Sequence, residues 1–450
     1  MSATASAATA VRAPGALPVL GHLGPFLASP LGFLRSLAAL GDLVEVQLAH
    51  QRVLVVCEPT LTRELLTHDR AFDKGGPLYE RMRELAGNGL ATCPAADHRR
   101  QRRLIQPTFH RSRLPLYART MTDRIEAGLT GWQPGQRIDL VAELRSMAAD
   151  ILLSTVFGAA LKPQTCDSLA ADLQEIMSAI PRRAVLPALL NNLPTPANLR
   201  YRKAHRRARG NMAELVRRLR TDPADGLFGA LLGGYDPQAG DRPFTDTELV
   251  DQAVTMYAGG TETTVGAVCW ALFQAARNPE AGQRLTEECR SALGSRAAEW
   301  DDLARLPYSR QVLLEAIRLN PPGWLVTRTA TSDAQLGRHR IPAGTTLAYS
   351  PYLLGRLTDQ YPNPDRFDPD RWSADGPGGR GPAAAFGGGA RQCIGEEFSL
   401  AEGVLMLASV CARWQLRIPP DGLRQPRLPG LTLNPLHLYA TVTPVSAPRP

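Results

Sequence analysis

The residues most suited to chemistry surround one cysteine. Phe386-Gly387-Gly388-Gly389-Ala390-Arg391-Gln392-Cys393-Ile394-Gly395 leads directly into an amphipathic segment that ends near Trp414. Glycines at these offsets permit positive φ and close approach of the backbone to a flat ligand. Cys393 falls just before the start of the following helix, where free N–H groups and the macrodipole favour a thiolate over a thiol. A metal would deprotonate it outright. A buried structural cysteine is the alternative for any lone Cys, but it does not account for Phe, three glycines, Arg and Gly at these spacings.

A second constellation lies between Thr245 and Pro279. Thr245 and Glu248 form a capping box, and Pro279 marks the end of a mostly apolar helix of roughly 30 residues. Gly259 and Gly260 sit in its middle, each costing about 1 kcal/mol relative to Ala. Glu262 and Thr263 follow at once, and a buried carboxylate needs a partner or a task. Two readings are open: a loop between two shorter helices, or a groove in one helix beside an acid–alcohol pair that moves protons.

The cysteine segment satisfies FxxGxRxCxG, and in this it resembles the cytochrome P450 family, whose axial iron ligand is the motif's cysteine. Such a thiolate pushes electron density onto the iron and favours O–O cleavage. The resemblance implies haem b (iron protoporphyrin IX), Cys393 as the metal ligand, Phe386 beside the sulfur, Arg391 on a propionate and Gly395 closing the loop. Gly259-Gly260-Thr261-Glu262-Thr263-Thr264 is similar to the family's [AG]Gx[DE]T[TS]. That likeness makes Thr263 the oxygen-activating residue and Glu262 its acidic neighbour. His98 and Arg102 match an HxxxR arrangement for propionates, and Arg328 matches another such position. Glu315 and Arg318 form an ExxR pair 75 residues before the cysteine. The resemblance adds Arg366, of Pro364-Asp365-Arg366-Phe367, as the third member of a structural triad.

The same resemblance implies an oxygenase that uses O2 and an apolar small molecule. No GxGxxG and no clustered cysteines are present for a flavin, nicotinamide or iron–sulfur centre. Electrons are therefore expected from a ferredoxin and its NAD(P)H-dependent ferredoxin reductase. The family's layout puts substrate walls at segments 74–96, 181–195, 251–259, 323–327 and 431–434. They carry Leu78, Tyr79, Met256, Ala258, Leu325, Val326 and Leu433, with few charges. That suggests a terpenoid of secondary metabolism, as does the likeness of RRQRRLIQPTFH to bacterial terpene-oxidising branches. A fatty-acid or polyketide hydroxylase is the alternative within the family. A haem-thiolate isomerase, dehydratase or ligand-binding protein is the alternative outside monooxygenation.

These residues need a large scaffold. Apolar residues make up 44% of the 450, ample for a substantial core. Periodicity predicts a hairpin at 43–48 and 52–57, helices from Thr60 to about Gly294, strands near 329–350, and one more helix after Gly395. Segment 355–393 is Pro/Gly/Asp-rich and long for a structureless connection, which points to function. The expected architecture is mainly α with small β-sheets, the cytochrome P450 fold: one large helical domain with a minor β-rich lobe over 13–445, after a disordered tail at 1–12. Three lysines stand against 48 arginines within a net charge of +8. That bias reads as genomic composition rather than a nucleic-acid surface, though it suits an acidic protein partner. The basic run at 205–210 suits an exposed helix end better than a membrane surface. Seven scattered cysteines, no leader pattern and no long apolar run lead us to expect a cytoplasmic monomer without a transmembrane segment.

Overall fold

The computed structural model describes residues 10–158, 163–186, 188–222, 226–233, 242–374, 382, 384–426 and 428–445. The capping box forms as expected: Glu248 N–H donates to Thr245 Oγ1 at 3.2 Å and Thr245 N–H donates to Glu248 Oε2 at 2.9 Å. From it runs a single helix, Asp246–Arg277, without a break at Gly259 or Gly260. The two-helix reading is thereby excluded. The helix is buried along most of its length and packs against Leu140–Phe157, Pro307–Leu319, Pro196–Thr221 and Glu396–Arg413. Leu140–Phe157 has twelve buried residues and stops at Gly158, whose φ of 62° admits glycine readily. Together these helices enclose the larger of two hydrophobic cores.

The smaller core lies under a six-stranded sheet, in the order Val11–Arg12, Leu43–Leu48, Gln51–Val56, Thr346–Tyr349, Val326–Ala330, Phe72–Asp73. The hairpin joins Leu43–Leu48 to Gln51–Val56 in antiparallel register, with Leu43, Val44, Val46, Val53, Val55 and Val56 all in the core. One expectation needs correction here. Val11 and Arg12 pair in parallel with Val44 and Glu45, so the chain is already part of the sheet where the tail was expected to continue. Residues 1–9 of that tail lie outside the described residues, as does 375–381 of the long connection. A second sheet, Trp414–Arg417, His437–Pro444 and Leu423–Arg424 with Arg137–Asp139, closes the far side.

The run at 205–210 is not a helix end but lies within Pro196–Thr221. There Arg207 pairs with Asp172, and Arg209 with Asp251. Among the described residues no helix is long and apolar enough to cross a membrane.

Candidate active site

Cys393 sits two residues before Gly395, the N-cap of the Glu396–Arg413 helix, and its surface faces an internal cavity. The loop is tied by Cys393 N–H donating to Phe386 O at 2.8 Å. Gly389 is the glycine this turn requires: its φ is 62°, and a Cβ there would lie 2.2 Å from the Leu66 carbonyl oxygen. Burial raises the Cys393 thiol above the ordinary range, opposed by a hydrogen bond from the Gly395 N–H. Phe386, Gly387, Ile394, Gly395 and Phe398 line the same cavity.

One end of that cavity is cationic. His98, Arg102, Arg328 and Arg391 all line it, from three separate parts of the chain. Arg391 is buried; its Nη2 donates to Asp73 Oδ1 at 2.6 Å and its Nη1 to Cys93 O at 3.0 Å, while Nε has no partner. Arg102 Nη1 donates to Gln392 O at 2.5 Å, joining the Ala95–Ile105 helix to the cysteine loop. Burial, and then the nearby Arg391, Lys74 and Arg102, push the His98 imidazole down to about 3. Its ring is neutral here, surrounded by positive charge. Lys74 and Tyr349 also line this region and were missed by sequence reasoning. A lone lysine before two glycines carries no motif, and only the fold brings it beside Arg391.

Thr255, Met256, Gly259, Gly260, Thr263 and Thr264 form another wall. Thr263 Oγ1 donates to Gly259 O at 2.6 Å, bending back one helical turn. A Cβ on Gly259 would meet nothing within 4 Å, whereas one on Gly260 would come 2.8 Å from Leu152 Cδ1. The two glycines thus do different things: Gly259 keeps open space, and Gly260 admits a neighbouring helix. Glu262 does not face the cavity. One residue along a helix rotates a side chain by about 100°. The Glu262 carboxylate is buried against Arg145 Nε at 2.9 Å, with Asn434 Nδ2 at 3.3 Å.

The ExxR pair is fully enclosed. Arg318 Nε and Nη2 donate to Glu315 Oε2 and Oε1 at 2.8 and 2.7 Å. Its Nη1 donates to Gly355 O and Pro364 O, both at 2.6 Å. The third member is Arg371, which corrects the assignment to Arg366. Arg371 Nε lies 3.4 Å from Glu315 Oε1, and Trp372 Nε1 donates to Glu315 Oε2 at 3.0 Å. Arg366 is exposed and offers only its carbonyl, 3.1 Å from Arg318 Nη2. Asp365 instead pairs with Arg35 and Arg356. Two Pro-Asp-Arg-aromatic tetrapeptides stand five residues apart, and local sequence does not choose between them.

Of the expected substrate wall, Tyr79, Met256 and Val326 line the cavity; Leu78, Ala258, Leu325 and Leu433 do not. Leu433 is buried in the smaller core, and Leu325 packs against that core. Leu78 and Met82, one turn apart, pack on the larger core instead. Ala258 lies on the helix next to Gly259 but turned off the cavity, for the same rotational reason as Glu262. Among its described residues, segment 181–195 contributes nothing to the lining, and Leu189 is 75% exposed. Leu90, from the expected segment 74–96, also lines the cavity, and Leu152, Val156, Leu313 and Ile317 supply apolar wall that was not expected. The last four belong to helices buried nearly all round, where periodicity does not reveal which residues border a void.

A thiol in a glycine turn, a cationic end and a hydroxyl wall around one cavity define a haem-thiolate oxygenase site. The chain belongs to the cytochrome P450 family, whose model matches residues 12–442. It is similar to pentalenene oxygenase of Streptomyces avermitilis, 39% identical over 435 residues, covering 96% of each chain. Cyclooctatin synthase of Streptomyces melanosporofaciens is 38% identical over 95% of this chain and 94% of its own. Cyclooctat-9-en-7-ol 5-monooxygenase of the same organism is 36% identical over 92% and 90%. The solved cytochrome P450DA haem domain shares the fold at a TM-score of 0.85 and 25% identity, covering 97% and 98%.

The family implies haem held through a thiolate, with O2 as co-substrate. The residues fit that group. The unpartnered Arg391 Nε and the clustered cations suit carboxylates, and Cys393 lines the cavity beside Gly387.

Proposed function

We propose that this chain is a monooxygenase that hydroxylates or otherwise oxidises an apolar terpenoid of secondary metabolism. The observation that carries this reading is that Cys393 and the Thr263 hydroxyl line one cavity whose remaining wall is mostly apolar. The oxygenase and monooxygenase names of its relatives support it. Bound there, the haem supplies dioxygen activation and one-electron redox chemistry.

The protein's own residues do the rest. Cys393 ligates the iron, with Phe386 beside the sulfur and Gly395 ending the loop. His98, Arg102, Arg328 and Arg391 hold the propionates. Thr263 keeps a proton at Oγ1, parked on Gly259 O, and releases it to the cavity on rotating about χ1. To refill Thr263, Glu262 would leave Arg145, take up a proton from water and pass it on. Glu315, Arg318 and Arg371 keep the segment before the cysteine rigid. Leu90, Leu152, Val156, Met256 and Val326 orient an apolar substrate and exclude water.

Electrons arrive singly from a ferredoxin, itself reduced by an NAD(P)H-dependent reductase. The chain acts as one domain that includes the Val11–Arg12 strand, in a cytoplasmic monomer. The test is a spin-state titration with a panel of terpenes, followed by turnover with a ferredoxin system. Oxygenated product matched to NAD(P)H consumption supports the reading. A ligand-induced spin shift without oxygenated product overturns it in favour of a non-oxygenating haem protein.

A further inference from the structure

We propose that Lys74 is a further anchor for the haem carboxylates, acting together with Tyr79 and outside the motifs that place His98, Arg102, Arg328 and Arg391. The inference rests on the haem-thiolate reading above and deepens it.

Lys74 lines the cavity at its cationic end. Its Nζ donates to Ala91 O at 2.9 Å, which uses one of its three N–H groups and leaves two. The adjacent carboxylate does not serve it. Asp73 Oδ1 accepts from the Lys74 backbone N–H at 2.7 Å and from Arg391 at 2.6 Å, and Asp73 Oδ2 accepts from Ala95 N–H at 2.8 Å. Lys74 Nζ lies 5.9 Å from the Tyr79 ring centroid, and the Tyr79 hydroxyl is turned toward Arg328.

Charge balance then points to the ligand. Lys74, Arg102, Arg328 and Arg391 bring four basic side chains to one end of a low-dielectric cavity, where burial lowers the Lys74 ammonium from its ordinary range. Asp73, against Arg391, is the carboxylate among them. Such a cluster is costly without further anions. Two propionates supply those charges at the end where Arg391 Nε lacks a partner. That lysine appears here, in a chain where 48 of 51 basic residues are arginine, fits the task. A compact ammonium gives rotatable donors between Tyr79 and Ala91. The consequence reaches the substrate side: Lys74 precedes the Pro77–Ala86 helix, so its carboxylate contact ties that helix to the cofactor.

The test compares ferric holoproteins of wild type, Lys74→Met, Lys74→Gln and Lys74→Arg in haem transfer to excess apomyoglobin, alongside midpoint potentials. We expect Lys74→Met and Lys74→Gln to lose haem roughly tenfold faster or more, the scale of one charge-assisted hydrogen bond. Their potentials shift negative, because a cation that favours the reduced haem is gone. Lys74→Arg keeps the charge and stays near wild type in both readouts. A purely structural tie to Ala91 O leaves the potential unmoved and overturns the proposal. So does wild-type haem loss with weakened terpene binding, which assigns Lys74 to the substrate. Absence of the red-shifted ferrous–CO band in wild type instead defeats the haem-thiolate reading itself.

Discussion

Arg371 Nε lies 3.4 Å from Glu315 Oε1, and both side chains are sealed from solvent. Through this contact a segment with little regular structure is fastened to the Pro307–Leu319 helix some twenty residues before the cysteine loop. Glu315 also accepts from Arg318, Trp372 Nε1 and Asp368 N–H, so its carboxylate is saturated. Removing Arg371 leaves a buried charge network incomplete, a loss of about 3–5 kcal/mol. Arg371→Ala should therefore yield little haem-loaded protein. Arg366→Ala, at an exposed side chain, should change stability by less than about 0.5 kcal/mol. Ferrous–CO absorbance per mole of purified chain, with thermal melts, reads both. Equal effects from the two substitutions would undo the assignment of Arg371.

Cys393→Ser tests the iron ligand without disturbing the turn. The hydroxyl is nearly isosteric, and the Phe386–Cys393 backbone hydrogen bond does not involve the side chain. We expect a folded protein whose ferrous–CO spectrum loses the red-shifted thiolate band. Retention of that band would move the ligand to another residue.

The glycine pair should respond asymmetrically. Gly259→Ala meets nothing within 4 Å and gains about 1 kcal/mol of helix propensity. Its methyl enters the cavity, so terpene affinity and product yield should fall while the melting temperature holds or rises. Gly260→Ala sets a methyl 2.8 Å from Leu152 Cδ1 and should lower the melting temperature instead. Melts paired with spin-state titrations separate the two.

Glu262 and Thr263 should differ in the same way. Thr263→Val removes the hydroxyl on Gly259 O and should lower product formed per NAD(P)H consumed, with substrate affinity little changed. Arg145→Met strips Glu262 of its buried cation, so stability should drop by about 3 kcal/mol or more. Product yield per NAD(P)H under a ferredoxin system, set beside melts, reads both. Unchanged coupling in Thr263→Val would remove that hydroxyl from the proton path.

Glu402 supplies a pH dependence of known sign. It is fully buried on the Glu396–Arg413 helix, faces the Thr264 hydroxyl, and desolvation pushes its carboxyl up to about 8. The folded state thus binds this proton more tightly than the unfolded state does. Its effect on stability is neutral below the unfolded value near 4.5 and grows more unfavourable from there to about 8. At pH 7 the cost is on the order of 3 kcal/mol. Glu402→Gln keeps a donor toward Thr264 and carries no such cost. Its melting temperature should exceed wild type at pH 7 to 8 and converge with it near pH 5. Parallel melting curves across that range would show that Glu402 does not titrate as its burial requires.

Much of this molecule could be read before any fold was known. Local chain chemistry determines its own neighbourhood: the Thr245–Glu248 box starts a helix wherever it occurs. The spacing of Phe386, Gly389, Arg391, Cys393 and Gly395 encodes a turn whose backbone demands travel with it. Those signals carried the start of that helix, the sheet hairpin and the family itself. What the tertiary structure alone decided involves choices between local equals. Arg366 and Arg371 sit in near-identical tetrapeptides, and only proximity to Glu315 separates them. Glu262 and Thr263 are neighbours in the chain, yet helical rotation and Arg145 turn the acid away from the cavity. Lys74 has no local mark, and Leu152 and Val156 lie on a helix buried over most of its surface. Which face borders a void is set by the elements packed opposite, whose positions the local sequence does not encode.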